Sequence, residues 1–158
     1  MGNHTETLEV DFDPASLGFS EILDEFFKAH NPFGAARGTQ YMTALFWHDA
    51  EQLASVESRV AQMQAEAGGA QVTTKILAFD GFHLAEDYHQ KYTLRRHREF
   101  EAALLDLYPN LLEFVNSTAA ARLNGYLAGH GSRAALANNL PELGLTDAAQ
   151  EMLLALRR

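Results

Sequence analysis

Three short stretches of this 158-residue chain gather side chains able to do chemistry. The first centres on Glu6. Glu6, Leu8, Val10 and Phe12 alternate with Thr7, Glu9 and Asp11, so a period-two strand over 5–12 would put the Glu6 carboxyl on the apolar face. A carboxyl group among apolar neighbours is desolvated and holds its proton to higher pH, which makes a general acid. The alternative is a Glu6 at the frayed edge of the strand, in water. The second stretch is Arg37-Gly38-Thr39-Gln40-Tyr41, a polar loop feeding an apolar run. A tyrosine at such a mouth can present its hydroxyl to a ligand; the alternative is a core tyrosine with a satisfied hydroxyl. The third is Ala85-Glu86-Asp87-Tyr88-His89-Gln90-Lys91-Tyr92, with His83 just before it. His83, Glu86, Asp87 and His89 raise a metal reading, but no HxxxH or HExxH spacing is present. A surface helix with its aromatics packed inward is the plainer account. No phosphate loop, GxGxxG or GxSxG pattern occurs. The chain contains no cysteine, which excludes disulfides, thiolate metal sites and a thiol nucleophile from these residues.

The elements that must position these groups follow from periodicity and caps. After the strand over 5–12, Asp13-Pro14 breaks the chain, and Ser20 can cap a helix over 20–30 with Ile22, Leu23, Phe26 and Phe27 as its stripe. Residues 41–47 read as a nearly continuous apolar strand. Asp49 with Gln52 resembles a capping box opening a helix to about 67, closed by Gly68-Gly69. Residues 71–78 are a third strand, rich in β-branched side chains. From Thr93 onward the pattern is helical, over about 95–107, 118–128, 132–139 and 146–157, with Ser117, Ser132 and Thr146 as N-caps. Ala119-Ala120-Ala121 suits a tight helix–helix contact. Strands alternating with helices predict a sheet covered by helices, followed by a helical C-terminal tail. Three strands make a thin sheet for a chain of this length.

Composition narrows the partners. Twelve Lys and Arg against 21 Asp and Glu give a net charge of −9. Phosphate backbones and anionic membrane surfaces are poor partners for such a surface. No 18-residue apolar run is present, and the start lacks the basic and apolar regions of a signal peptide. The expected location is the cytoplasm.

Five motifs in order carry a family resemblance: His4-Thr5-Glu6, Val10-Asp11-Phe12-Asp13-Pro14, His30-Asn31-Pro32, Gly38-Thr39-Gln40-Tyr41 and Ala85-Glu86-Asp87-Tyr88-His89-Gln90. Together they resemble peptide methionine sulfoxide reductase A, over about residues 2–94. The resemblance implies an α+β fold, a small mixed sheet packed with helices around a ferredoxin-like core plus a helical C-terminal tail, and reduction of the S epimer of methionine sulfoxide in proteins, a role in protein repair under oxidative stress. It divides the chain into a partial reductase-like domain, 1–94, and a helical extension packed on it, 95–158. In that family a cysteine in a Gly-Cys-Phe-Trp segment attacks the sulfoxide sulfur, a glutamate protonates its oxygen, and thioredoxin restores the thiol. Motif by motif, Glu6 matches the acid and Tyr41 a hydroxyl donor, while His89 and Tyr92 fall near the substrate. No bound cofactor or metal is implied, and the partner is a methionine sulfoxide-containing protein or peptide.

The departures decide the expected activity. The Gly-Cys-Phe-Trp segment would precede Gly2 and is not in these residues. Gly34-Ala35-Ala36-Arg37 stands where the family has Gly-Asn-Asp, so an expected aspartate is missing. A sulfoxide needs a thiolate at sulfur, and no Ser, His or Met replaces it. Two expectations follow. Either the start is assigned too late and a working reductase includes upstream residues, thioredoxin then serving as its reductant, or the chain is a non-catalytic peptide- or partner-binding module.

Overall fold

The computed structural model describes residues 5–34 and 38–157. His4 of the first motif and Arg37 of the second stretch lie outside the described residues. The chain divides into two compact units, Met1–Phe82 and His83–Arg158.

The first unit is built around a strand–helix–strand crossover. Strand β1 (Ala44–Trp47) and strand β2 (Lys75–Ala78) pair in parallel, Ala44 opposite Lys75 and Trp47 opposite Ala78. A parallel pair requires a crossover connection, and helix α2 (Ala50–Glu66) supplies it. Asp49 caps α2 by accepting from the Gln52 N–H at 2.8 Å, while the Gln52 side chain reaches back to the His48 N–H at 2.9 Å. This is the expected capping box displaced by one residue. Gly68 and Gly69 close the helix with positive φ, and the Gly69 N–H bonds the Gln64 carbonyl at 2.7 Å. Helix α1 (Phe19–Lys28) packs on α2, burying Leu23 and Phe27 near Val56 and Met63 of the same unit's core. Its N-cap is Gly18, whose N–H bonds the Glu21 carboxylate at 2.8 Å, so the expected cap at Ser20 lies two residues inside.

Two expectations about the sheet are corrected. Residues 5–12 form no strand: they carry no ladder, and Leu8 is 83% exposed. The alternation is present in the sequence, but a strand needs a pairing edge. The Glu6 N–H to Gln40 carbonyl bond, 3.0 Å, ties only the start of this stretch. Among the described residues the sheet is therefore a two-stranded parallel ribbon and not a mixed sheet. Tyr41 belongs to a short 3₁₀ turn, Thr39–Tyr41, rather than to β1.

The second unit is helical: α3 (Tyr92–Arg95), α4 (Arg98–Leu107), α5 (Leu111–Asn116), α6 (Thr118–Leu127), α7 (Arg133–Asn139) and α8 (Asp147–Leu156). Its core is a single cluster in which Leu94, Phe100, Leu104, Phe114, Leu123, Leu136, Leu143 and Leu153 are fully buried. Ser117, Ser132 and Thr146 cap α6, α7 and α8 as expected. Ala119 and Ala120 are buried in the core cluster, and the exposed Ala121 is not. Helices α3 and α5 were not expected from periodicity. Each is one or two turns long, and a stripe cannot be read over so few residues.

Candidate functional site

The N-terminal stretch and the Gly38–Tyr41 turn meet through one side chain. The Gln40 amide Nε2 donates to Glu6 Oε1 at 3.1 Å and to Tyr41 Oη at 3.3 Å. The Glu6 N–H bonds the Gln40 carbonyl, and the Thr5 hydroxyl donates to the Thr39 carbonyl at 3.1 Å. A carboxylate and a phenol are thus held by a common donor. Tyr41 Oη accepts from Gln40, which leaves its own proton for another acceptor. Glu6 is exposed and Tyr41 is 61% exposed, so the carboxyl sits at a surface and not on a buried strand face. Of the two accounts of Glu6, the geometry is that of a group in contact with water. Sequence reading missed Gln40, although it stands inside the motif; its signal is its position beside Tyr41, one 3₁₀ turn from Gly38.

In the same unit, the His30-Asn31-Pro32 motif fastens α1 to the segment leading into β2. His30 Nδ1 bonds the Phe26 carbonyl at 2.9 Å, so Nδ1 carries the proton. In the neutral ring Nε2 then accepts from the Thr74 hydroxyl, also at 2.9 Å. Thr74 is the buried polar side chain of the described core. Thr73 donates its hydroxyl to the Pro32 and Gly34 carbonyls, at 3.1 and 2.5 Å.

The third stretch lies in the second unit. Asp87–His89 is a 3₁₀ turn, not a surface helix, and its aromatics point outward: Tyr88 is 63% and Tyr92 56% exposed. The Tyr88 and His89 rings sit 4.2 Å apart, and His89 Nε2 is 3.8 Å from Glu86 Oε2. The Arg96 guanidinium lies over the Tyr92 ring, 5.7 Å from its centroid. Between the turn and α3, Lys91 adopts the left-handed conformation, φ 51° and ψ 44°. For a residue with a Cβ this costs about 1–2 kcal/mol. Lys91 is also half-buried, and burial pushes its ammonium down from the ordinary 10.5. Two side chains hold this elbow. The Leu94 N–H, an orphan donor of the first turn of α3, bonds Asn124 Oδ1 of α6 at 3.1 Å. Arg95 donates from Nε to the Gln90 carbonyl at 2.9 Å and from Nη1 to Glu101 at 3.2 Å, with its guanidinium over Phe114.

The four expected site residues thus fall two and two. Glu6 and Tyr41 are brought together in the first unit; His89 and Tyr92 belong to the second, three residues apart across the Lys91 elbow. Among the described residues no group of three or more His, Asp or Glu side chains is gathered to hold a metal, and His83, Glu86, Asp87 and His89 form no such group. No helix of the described residues is long and apolar enough to cross a membrane.

Residues 1–122 match the family model of peptide methionine sulfoxide reductase. A peptide methionine sulfoxide reductase of Drosophila melanogaster is 38% identical over 148 residues, covering 92% of this chain and 58% of that protein. Peptide methionine sulfoxide reductase A5 of Arabidopsis thaliana is 32% identical over 135 residues, covering 81% of this chain and 52% of its own. A peptide methionine sulfoxide reductase MsrA 1 of Synechocystis is 38% identical over 100 residues, 58% of this chain and 45% of that one. The chain spans about half the length of the curated relatives it matches.

Proposed function

Because this chain belongs to the peptide methionine sulfoxide reductase family, we propose that it carries the proton-donor side of a site for methionine S-sulfoxide in proteins and peptides. Glu6 delivers a proton to the sulfoxide oxygen, and the Tyr41 hydroxyl donates a hydrogen bond to the same atom. Gln40 holds the two together. His89 and Tyr92 contact the bound peptide. The core around the site is the family's ferredoxin-like arrangement, and the protein works in the cytoplasm.

Reduction needs more than a proton donor. The sulfoxide sulfur must be attacked by a thiolate, which becomes a sulfenic acid as the sulfide leaves and the oxygen takes up its proton. These 158 residues contain no cysteine, so on their own they bind the sulfoxide and do not turn it over. Where a cysteine is supplied from outside them, a thioredoxin-type reductant regenerates it.

The observation that carries this reading is the shared Gln40 donor, which sets the carboxyl of one motif beside the phenol of another. Its test is a titration of the chain with peptides containing the S-sulfoxide, the R-sulfoxide or plain methionine, followed by amide chemical shifts. The S epimer is expected to bind in preference, and Glu6→Gln and Tyr41→Phe to weaken it about tenfold each, the worth of one hydrogen bond to a polar ligand. Equal binding of the two epimers, or an affinity indifferent to Glu6→Gln, overturns it. A parallel assay with thioredoxin, its reductase and the S-sulfoxide peptide is expected to show no turnover.

A further inference from the structure

We propose that Arg95 and Asn124 are positioning residues: from the C-terminal helices they hold the left-handed elbow at Lys91 that sets His89 on one side and Tyr92 on the other. The relevance to ligand binding rests on the reading of His89 and Tyr92 given above; the brace itself does not.

The argument is one of unpaired backbone groups. At Lys91 the chain leaves the 3₁₀ turn and enters α3 through a conformation that side-chain-bearing residues avoid. A strained conformation persists only when its surroundings over-determine it. The N-cap of α3 is Lys91, whose side chain offers no acceptor to the helix's free N–H groups. Asn124, thirty residues on in α6, provides one at Leu94. On the other side of the elbow the Gln90 carbonyl has left the 3₁₀ turn's hydrogen bonding, and Arg95 Nε takes it. The Arg95 fork is itself fixed by Glu101 of α4 and by the face of Phe114 of α5, and its side chain is mostly buried. Leu94, whose N–H makes the first of these contacts, is fully buried in the helical core. Three helices, α4, α5 and α6, therefore converge on Leu94 and Arg95, the two residues that hold the elbow. A planar two-armed donor is required at 95, because one arm goes to a carbonyl and the other to a carboxylate; a lysine supplies only a point charge.

The test uses the full chain and amide hydrogen exchange, read at His89, Gln90 and Arg95, whose N–H groups bond within the segment. Arg95→Met and Asn124→Ala are each expected to speed exchange there about tenfold, with core amides of α6 and α8 changed much less. Arg95→Lys is expected to recover only part of the protection. The discriminating variant is Lys91→Gly placed on Arg95→Met: glycine adopts the left-handed conformation without strain, so it should restore most of the lost protection. A purely structural loss of core packing at Arg95 would not respond to residue 91. Unchanged exchange at 89–95 in both single variants, or no suppression by Lys91→Gly, overturns the proposal. If Arg95→Met loosens the segment but leaves S-sulfoxide peptide affinity intact, the brace stands and the assignment of His89 and Tyr92 to the ligand falls.

Discussion

Lys91 keeps a charged amine in a half-buried place, and its neighbourhood sets the sign of a pH effect. The folded state holds the Lys91 proton less tightly than the unfolded chain, whose lysine titrates near the ordinary 10.5. Between the two values the unfolded state binds more protons, so stability rises with pH through that window. Lys91→Gln removes the buried charge and keeps the Cβ, hence the backbone strain. It should raise the melting temperature at neutral pH, and the gain should fade as pH approaches 10.5, checked by paired thermal melts. His30 and Thr74 give a residue-scale prediction of opposite sign. Thr74→Val removes the proton donor to His30 Nε2 and leaves a partly buried ring nitrogen without its partner. The expected cost is about 1–3 kcal/mol by denaturant unfolding. Of these residues, the sequence motif marked His30 but not its partner Thr74, which lies 44 positions away. Tyr41 and Glu6 were legible as a pair by family resemblance. Their exposure was not, because alternation states which side chains share a face and not whether anything covers that face.

At the scale of elements, long helices were legible and short connections were not. Helices α1, α2, α4, α6, α7 and α8 were all expected from local sequence, and their bounds shift from expectation by a few residues at most, although α1 starts from Gly18 and not from Ser20. The 3₁₀ turns at Thr39–Tyr41 and Asp87–His89 are three residues each, too short to leave a periodic trace. Connections still make sharp predictions. Gly144, between the 3₁₀ turn Leu140–Glu142 and α8, has φ 67°, and a Cβ there would fall on Leu107 Cδ1. Gly68, at the end of α2, has φ 66° but open space around its missing Cβ. Gly68→Ala should therefore cost only the left-handed conformation, about 1 kcal/mol, whereas Gly144→Ala must also displace the half-exposed Leu107 side chain and should cost about 1 kcal/mol more. Chemical denaturation of the two variants side by side checks the difference; equal costs would mean Leu107 moves aside freely.

At the scale of the whole chain, charge is shared unequally. Residues 1–82 carry 4 Lys and Arg against 12 Asp and Glu, a net −8, while residues 83–158 carry 8 against 9, a net −1. Self-repulsion of like charges opposes compaction and is screened by salt over about 10 Å at 0.1 M. Added salt should therefore protect amides of α2 from exchange more than those of α6; equal responses would show that the acidic unit holds its charges too far apart to matter. The thinness of the sheet was legible from the count of strands, and its further reduction to two was not, since pairing depends on what lies beside an edge.

Trp47, the last residue of β1, is the single tryptophan of the chain. Emission excited at the red edge of protein absorption therefore comes from the sheet-bearing unit alone. Far-ultraviolet ellipticity is weighted toward the other unit, where most of the helix lies. The two optical signals thus weight the two units differently. Melting curves that fail to superimpose would measure how independently the halves come apart, and would not by themselves report a partly folded species in either.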